Sequence, residues 1–226
     1  MFRSVHVVGR GRAGTAIAGR LREHGLEVRV GREPAATAEL VILAVPDAAI
    51  AEVAAHVEPG PWIAHVSGAT PLSVLDPHAP ARRFSVHPLQ TLSLERGPEQ
   101  LDGAWAALGA ETPEARDAAR WLAATLGLRP FEIAEADRVL YHAGAVIAGN
   151  FLVTLYRAAS RLMAETGAPP EALVPLMQRT IENGFALTGP IARGDWTTVE
   201  AHLRALEERA PDLAPLYRAL ADATPR

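Results

Sequence analysis

Between Val5 and Val30 the chain reads VHVVGRGRAGTAIAGRLREHGLEVRV: a strand, a glycine turn, a helix and a second strand. Gly9, Gly11 and Gly14 occupy the three glycine positions of G-x-G-x-x-G. The first permits the tight turn out of the strand. The second lets a pyrophosphate approach the backbone, and the third lets helix and strand pack closely. Ile17, Leu21 and Leu26 recur at roughly helical spacing after the turn. The free N–H groups of Arg12 and Ala13 then lie at a helix N-terminus, where phosphate oxygens are stabilised. The stretch predicts a dinucleotide-binding unit; a glycine turn in a nucleotide-free α/β domain is the plainer reading of the same residues.

The alternation continues downstream. Strands are expected over 4–8 and 27–30, in ELVILAVP ending at Pro46, over 62–66 and 83–86, around Trp105, and in LRPFEI. Helices are expected over 13–24, from an Asp47 N-cap to Val53, near Leu72, and over 113–126. Such alternation implies a mostly parallel sheet. After Ala134 the pattern is helical throughout. Residues 137–165 are apolar almost all round, which predicts a buried helix, either at the centre of a helical domain or in a dimer interface. His142 and Asn150 interrupt it as a membrane span. Further helices are expected over 170–187, 197–209 (capped by Thr197 or Thr198) and 212–223. The fold class is therefore α/β: a Rossmann-like domain over 1–133, followed by an all-α domain over 134–226. A domain of about 90 residues cannot cover so apolar a helix alone, and Ala143, Gly144, Ala148 and Gly149 allow close approach of a second one. A homodimer is expected.

Composition narrows the chemistry. The formal charge of -4 argues against a nucleic-acid surface. The chain has no cysteine, which removes thiol nucleophiles and fits a reducing cytoplasm, and its first residues run directly into a strand without a signal peptide. All 22 residues counted as Lys plus Arg are arginine. A lysine Schiff base or lysine general acid is excluded, and arginine cannot substitute because it stays charged. The remaining histidines show no H-x-x-x-H spacing, so no metal is expected.

Ligands of an open α/β sheet sit off the carboxyl ends of its strands. Strand two ends Val30-Gly31-Arg32-Glu33, with Gly31 where the ribose-binding carboxylate of an NAD site is expected. Arg32 suits a 2′-phosphate, which favours NADP; the alternative is Glu33 serving as the acid one position late. Val45 and Pro46 end the third strand, where the middle of the cofactor lies. Ser67, in HVSGA, and His87 and Gln90, in HPLQT, face the same crevice. Ser67 is a candidate for the nicotinamide amide or a substrate oxygen, or else simply caps a turn. His87 is a candidate for binding a carboxylate or moving a proton, or else orders the loop before Pro88. In a regular α-helix His142 and Asn150, eight residues apart, are related by about 80° and ~12 Å, broadly one side. With lysine and cysteine absent, His142 is the first choice of proton donor and Tyr141 the fallback, with Asn150 orienting the reacting atom. Asn183, Thr188, Arg193 and Asp195 are candidates for a substrate carboxylate, with Arg193 first; Asp195 and Thr197 also read as helix-start residues.

GRGRAG, ILAVPD, HVSGA, HPLQT, YHAGAVIAGN and LTGPIARGD together resemble a bacterial family that joins a Rossmann-like domain to a helical domain of unknown function. Its wider relatives are pyrroline-5-carboxylate reductase, prephenate dehydrogenase, 6-phosphogluconate dehydrogenase and ketopantoate reductase. The resemblance implies a helical domain like that of 6-phosphogluconate dehydrogenase. HPLQT is similar to the HPM-type motif of prephenate dehydrogenases, which implies that His87 lies near substrate. Ordinary ketopantoate reductases carry K-x-x-x-N; counted back from Asn150, the lysine position is Val146, with His142 one turn earlier. The expected activity is NADP-dependent reduction of a small carboxylate-bearing 2-oxo acid, ketopantoate-like. The alternatives are an imine-acid reductase and a non-catalytic NADP-binding regulatory protein.

Overall fold

A computed structural model describes residues 1–32, 38–76 and 78–225. Seven strands form one sheet: β1 (Ser4–Val8), β2 (Glu27–Gly31), β3 (Leu40–Leu43), β4 (Trp62–His65), β5 (Arg83–Leu89), β6 (Trp105–Ala110) and β7 (Arg129–Glu132). Their order is β2-β1-β3-β4-β5-β6-β7. All neighbours are parallel except β5 and β6, which are antiparallel. The winding reverses at β1, which lies between β2 and β3, so a crevice opens at the carboxyl ends of β1 and β3.

The sequence Leu40-Val41-Ile42-Leu43 explains the layering. All four residues are buried and alternate between the two faces. Leu40 and Ile42 pack in one core with Ile17 and Leu21 of α1 (Arg12–Glu23) and Ala118, Ala119 and Leu122 of α3 (Pro113–Thr125). Val41 and Leu43 pack in another with Ile50 and Ala54 of α2 (Ile50–Ala55), and with Leu72 and Leu75 from a single 3₁₀ turn. Each fully buried Leu or Ile contributes roughly 1.5–3 kcal/mol. Thr112 caps α3 by accepting from the Ala115 N–H at 3.2 Å, with Pro113 next to it.

Several boundaries differ from expectation. Asp47 does not cap a helix: it opens the 3₁₀ turn Asp47–Ala49, without a side-chain capping bond, and α2 follows. Strand β5 runs on to Leu89 because β6 pairs with it, His87 opposite Ala107. Its pairing with parallel β4 stops at His65 opposite Ser85, so His87 projects past the end of β4 although it is not in a loop. Asp195 caps α7 (Trp196–Arg209) by accepting from the Thr198 N–H at 3.1 Å; Thr197 and Thr198 are already helical.

The chain divides into two compact units, Met1–Gly149 and Asn150–Arg226. The division falls later than the change of sequence pattern near Ala134, because α4 (Arg138–Val146) contributes Arg138, Tyr141 and His142 to contacts within the first unit. The long helical run is not one α-helix: a π-helical turn, Ile147–Phe151, separates α4 from α5 (Leu152–Glu165). Nor is the run buried in a single chain. Val139 is 70% exposed, Ile147 62% and Phe151 52%. By length and composition alone, Glu135–Glu165 is apolar enough to cross a membrane.

The second unit contains α5, α6 (Leu173–Glu182), α7 and α8 (Ala214–Ala223). Its core is small: Leu206, Ala210 and Ala214 packed with Leu162, Leu213 and Tyr217. Arg161 makes a two-pronged ion pair with Asp212 (2.5 and 2.6 Å), which holds that carboxyl below its usual range. The pair is solvent-exposed and contributes little to stability.

Candidate active site

Gly9 and Gly14 shape the first turn and its packing as their spacing predicts. Gly9 has φ +124°, and a Cβ there would run into the Ala44 carbonyl. A Cβ on Gly14 would run into the Gly9 carbonyl. A Cβ on Gly11 would meet nothing within 4 Å, so open space lies over that backbone. Gly11 is also the N-cap of α1 and supplies no side chain to its first-turn N–H groups. The backbone of Arg12, Ala13 and Gly14 therefore presents an uncapped, positive helix end to that space. The Gly9 N–H bonds the Gly31 carbonyl at 2.9 Å, tying the turn to the end of β2. Exposed Arg32 follows at once; Glu33 lies outside the described residues. Half-buried Val45 and exposed Pro46 follow β3 on the same sheet edge. These residues fit a dinucleotide, whose pyrophosphate the glycine turn would hold.

Beyond the end of β4, on that edge, is a cluster of imidazoles. His87 Nδ1 and the Tyr141 hydroxyl are 2.7 Å apart. The His87 and His142 rings pack edge to face, centroids 5.8 Å apart. Gly68 makes the pair possible: a Cβ there would sit 2.7 Å from His142 Cδ2 and 2.8 Å from His87 Cε1. Tyr141 is braced by the Phe131 ring, centroids 5.8 Å apart. Burial pushes the His87 pKa down to about 4, helped by His142 and Arg138, with Asp47 acting against them. Burial pushes the Tyr141 hydroxyl up to about 12, which Arg138 partly offsets. Both groups are therefore neutral at physiological pH.

Behind the cluster lies a guanidinium that sequence reasoning missed. Arg138 is 1% exposed. Its Nε donates to Glu135 at 2.7 Å, Nη1 to the Ser67 carbonyl at 3.3 Å, and Nη2 to the Ser85 hydroxyl. Glu135 also accepts from the Leu72 N–H at 3.0 Å. A buried cation persists only with such pairing, and these bonds fasten the 67–72 loop to α4 and β5. Gly109 on β6 leaves room for the guanidinium, since a Cβ there would collide with Nη2. The available signal was Glu135-x-x-Arg138 immediately before an apolar helix, an i,i+3 pair that normally reads as solvent-exposed. His65, also missed, is fully buried. Its Nδ1 accepts from the Ser67 N–H at 3.2 Å, and its Nε2 has no partner among the described residues. Burial, with Arg138 and His87, lowers its pKa to about 3.

The other candidates are placed as follows. The Ser67 hydroxyl is spent on its own turn: it accepts from the Ala69 and Thr70 N–H groups at 3.3 and 3.0 Å and donates to the Thr70 hydroxyl at 2.8 Å. This is the turn-capping alternative. Gln90 is exposed and accepts from the Thr91 N–H at 2.9 Å. Asn150 lies within the π-helical turn, so the regular α-helical spacing expected between it and His142 does not apply. In the second unit, Asn183 follows the last turn of α6, and Arg193 donates to the Thr188 carbonyl of its own loop. Among the described residues, no cluster of three or more His, Asp or Glu could hold a metal.

Known proteins resemble this arrangement in two ways. A family model described as "Domain of unknown function (DUF2520)" matches residues 104–224, and a Rossmann-like domain model matches residues 3–88. No curated protein matches the sequence. Among solved structures, a Bacteroides fragilis protein provisionally assigned as an NADP oxidoreductase superposes with TM-score 0.84 at 22% identity, over 98% of this chain and 97% of that one. The protein TM1727 of Thermotoga maritima gives 0.68 at 24%, over 97% and 98%. The 1-pyrroline-5-carboxylate reductase of Streptococcus pyogenes gives 0.63 at 17%, over 97% and 95%. At these identities the likeness is one of fold.

Proposed function

Since the chain belongs to the DUF2520 family and carries a glycine cradle and a histidine pair on one sheet edge, we propose that it is an NADP-dependent reductase. The proposed substrate is a small carboxylate-bearing 2-oxo acid of the ketopantoate type, with an imine acid as the alternative. The observation that carries the reading is the open space over Gly11, at the uncapped start of α1, on the edge where His87 and His142 meet over Gly68. When bound, the reduced cofactor supplies a hydride. The protein's part is to orient the substrate and provide a proton at its oxygen or nitrogen, and the histidine pair is the source. Arg32 selects the 2′-phosphate. Within the second unit, Arg193 is proposed as a carboxylate-binding residue and Asn150 and Asn183 as polar ligands, and within the first unit Gln90 is proposed as a polar ligand, each on the chemistry of its side chain.

We also propose that the protein works as a homodimer, not at a membrane. In the second unit only Val199, Leu206, Ala210 and Ala214 are buried among the described residues, while Phe151, Leu152, Val153, Leu176 and Ile181 are exposed. A second copy placing its own helices on this surface would bury it.

The test is NADPH oxidation by the purified protein over a panel of ketopantoate, pyrroline-5-carboxylate and other 2-oxo acids. Turnover of one acid with NADPH preferred over NADH is expected, with the preference lost in Arg32→Ala. NADPH binding without turnover of any acid would leave a dinucleotide-binding protein and overturn the reductase reading.

A further inference from the structure

Resting on the reductase reading, we infer that His87 is the group that hands the proton to the substrate, and that Tyr141 is the positioning residue that fixes its tautomer and restores its proton. The geometry is the 2.7 Å contact between the Tyr141 hydroxyl and His87 Nδ1. Of the two groups the phenol is the better donor and the imidazole nitrogen the better acceptor. The shared proton therefore belongs to Tyr141, and His87 must carry its own on Nε2. That nitrogen has no hydrogen-bond partner among the described residues, on a half-buried ring past the end of β4. The expected proton donor, His142, has no such recharging partner: no described side chain hydrogen-bonds either of its nitrogens.

The relay solves a specific chemical difficulty. The titratable and charged groups facing His87 are Arg138 and His142 on α4, His65 on β4, and Asp47 after β3; β6 contributes Ala107 opposite it. Among them His87 stays neutral, so it has no imidazolium proton to give. A neutral imidazole that gave up its Nε2 proton alone would become an anion in a half-buried site. If Nδ1 gains a proton as Nε2 loses one, the ring stays neutral throughout. The balance is closed: the Nε2–H bond breaks and the bond to the substrate oxygen or nitrogen forms, while the Tyr141 O–H bond breaks and Nδ1–H forms. The negative charge that hydride delivery placed on the substrate ends on the Tyr141 oxygen. There the Arg138 guanidinium favours it, until a solvent proton reaches Nε2 and the Nδ1 proton returns to the phenolate, which resets both groups. Gly68 keeps the loop backbone against both rings, and Arg138 fastens that loop through the Ser67 carbonyl.

The experiment has a spectroscopic arm and a kinetic arm on the full chain. Ring-¹⁵N histidine NMR of wild type, at neutral and alkaline pH, should show His87 as the Nε2–H tautomer. Tyr141→Phe, which keeps the packing on Phe131, should show a tautomer mixture. With whichever panel acid the wild type reduces, Tyr141→Phe should lower kcat by about 10²-fold, leave the KM for NADPH unchanged, and lose the alkaline limb of the kcat–pH profile. Fluorotyrosine incorporation, which makes the phenol more acidic without disturbing the fold, should move that limb to lower pH. His142→Gln should slow the reaction but keep the limb. An Nδ1–H tautomer at His87, or wild-type kcat and pH profile in Tyr141→Phe, overturns the relay alone. Failure of wild type to reduce any acid overturns the reductase reading, and the relay with it.

Discussion

Tyr141 Oη lies 2.7 Å from His87 Nδ1 across a sequence separation of 54 residues. Strand β5 presents the histidine and α4 the tyrosine, and the two elements touch because Gly68 carries no side chain between the imidazoles. The contact makes a titratable cluster out of residues that would be ordinary separately.

Gly68→Ala should disable this cluster while leaving the cofactor cradle untouched. The new methyl would stand 2.7 Å from His142 and 2.8 Å from His87, and neither ring can retreat without breaking its packing. Turnover should fall by about 10²-fold or more with near-normal NADPH affinity. Stopped-flow binding alongside steady-state rates separates the two; loss of both together would mean that the whole edge had collapsed.

The buried histidines should make folding acid-sensitive at unusually mild pH. Both pKa values are lowered from 6.5, His65 to about 3 and His87 to about 4. Above pH 6.5 both are neutral, folded or unfolded, and stability is full. Below it the unfolded chain binds protons that the folded state refuses, so stability declines as the pH falls toward 4. Urea midpoints measured through this window should drop steadily in wild type and more shallowly in His65→Gln. Parallel slopes would show that His65 titrates normally.

The glycines of the turn should separate packing from ligand contact. Gly14→Ala forces a methyl into the Gly9 carbonyl, so it should destabilise by at least about 1–3 kcal/mol, as overpacking does. Gly11→Ala places its methyl in open space and should cost less than about 1 kcal/mol, the difference between the two residues at an N-cap. It should nevertheless weaken NADPH by tenfold or more, because the methyl occupies the approach to the α1 backbone. Thermal melts with and without NADPH read both effects; an unchanged ligand shift in Gly11→Ala would exclude that path for the pyrophosphate.

The exposed apolar helices should disappear into a dimer. Sedimentation should give twice the chain mass, and Phe151→Glu, at a 52% exposed position, should shift the protein toward monomer. A wild-type monomer at all concentrations would contradict the proposed assembly.

The glycine cradle and the sheet were readable in advance because their determinants are local. Gly9, Gly11 and Gly14 act within one turn, and alternating burial within Leu40–Leu43 follows from a strand covered on both faces. His87 was readable as the polar end of an apolar strand run, although its strand proved longer once β6 paired with it. Ser67 was expected to face the ligand, with turn capping as the alternative, and its hydroxyl is consumed in the turn.

Strand–helix alternation, the glycine turn and the chemistry open to a chain without lysine or cysteine are thus legible along the chain. Which of these groups meet is set by long-range packing. Arg138 and Glu135 form an i,i+3 pair that ordinarily sits in water. The burial of Arg138 depends on the loop after β4, on β5 and on β6 converging at Ser67, Ser85 and Gly109, three positions with no sequence relation to one another. Likewise the regular helix expected from His142 to Asn150 is broken by a π turn. Helical periodicity reports which residues are apolar; long-range packing sets where a helix tightens, what its polar side chains reach and which imidazole gains a phenol behind it.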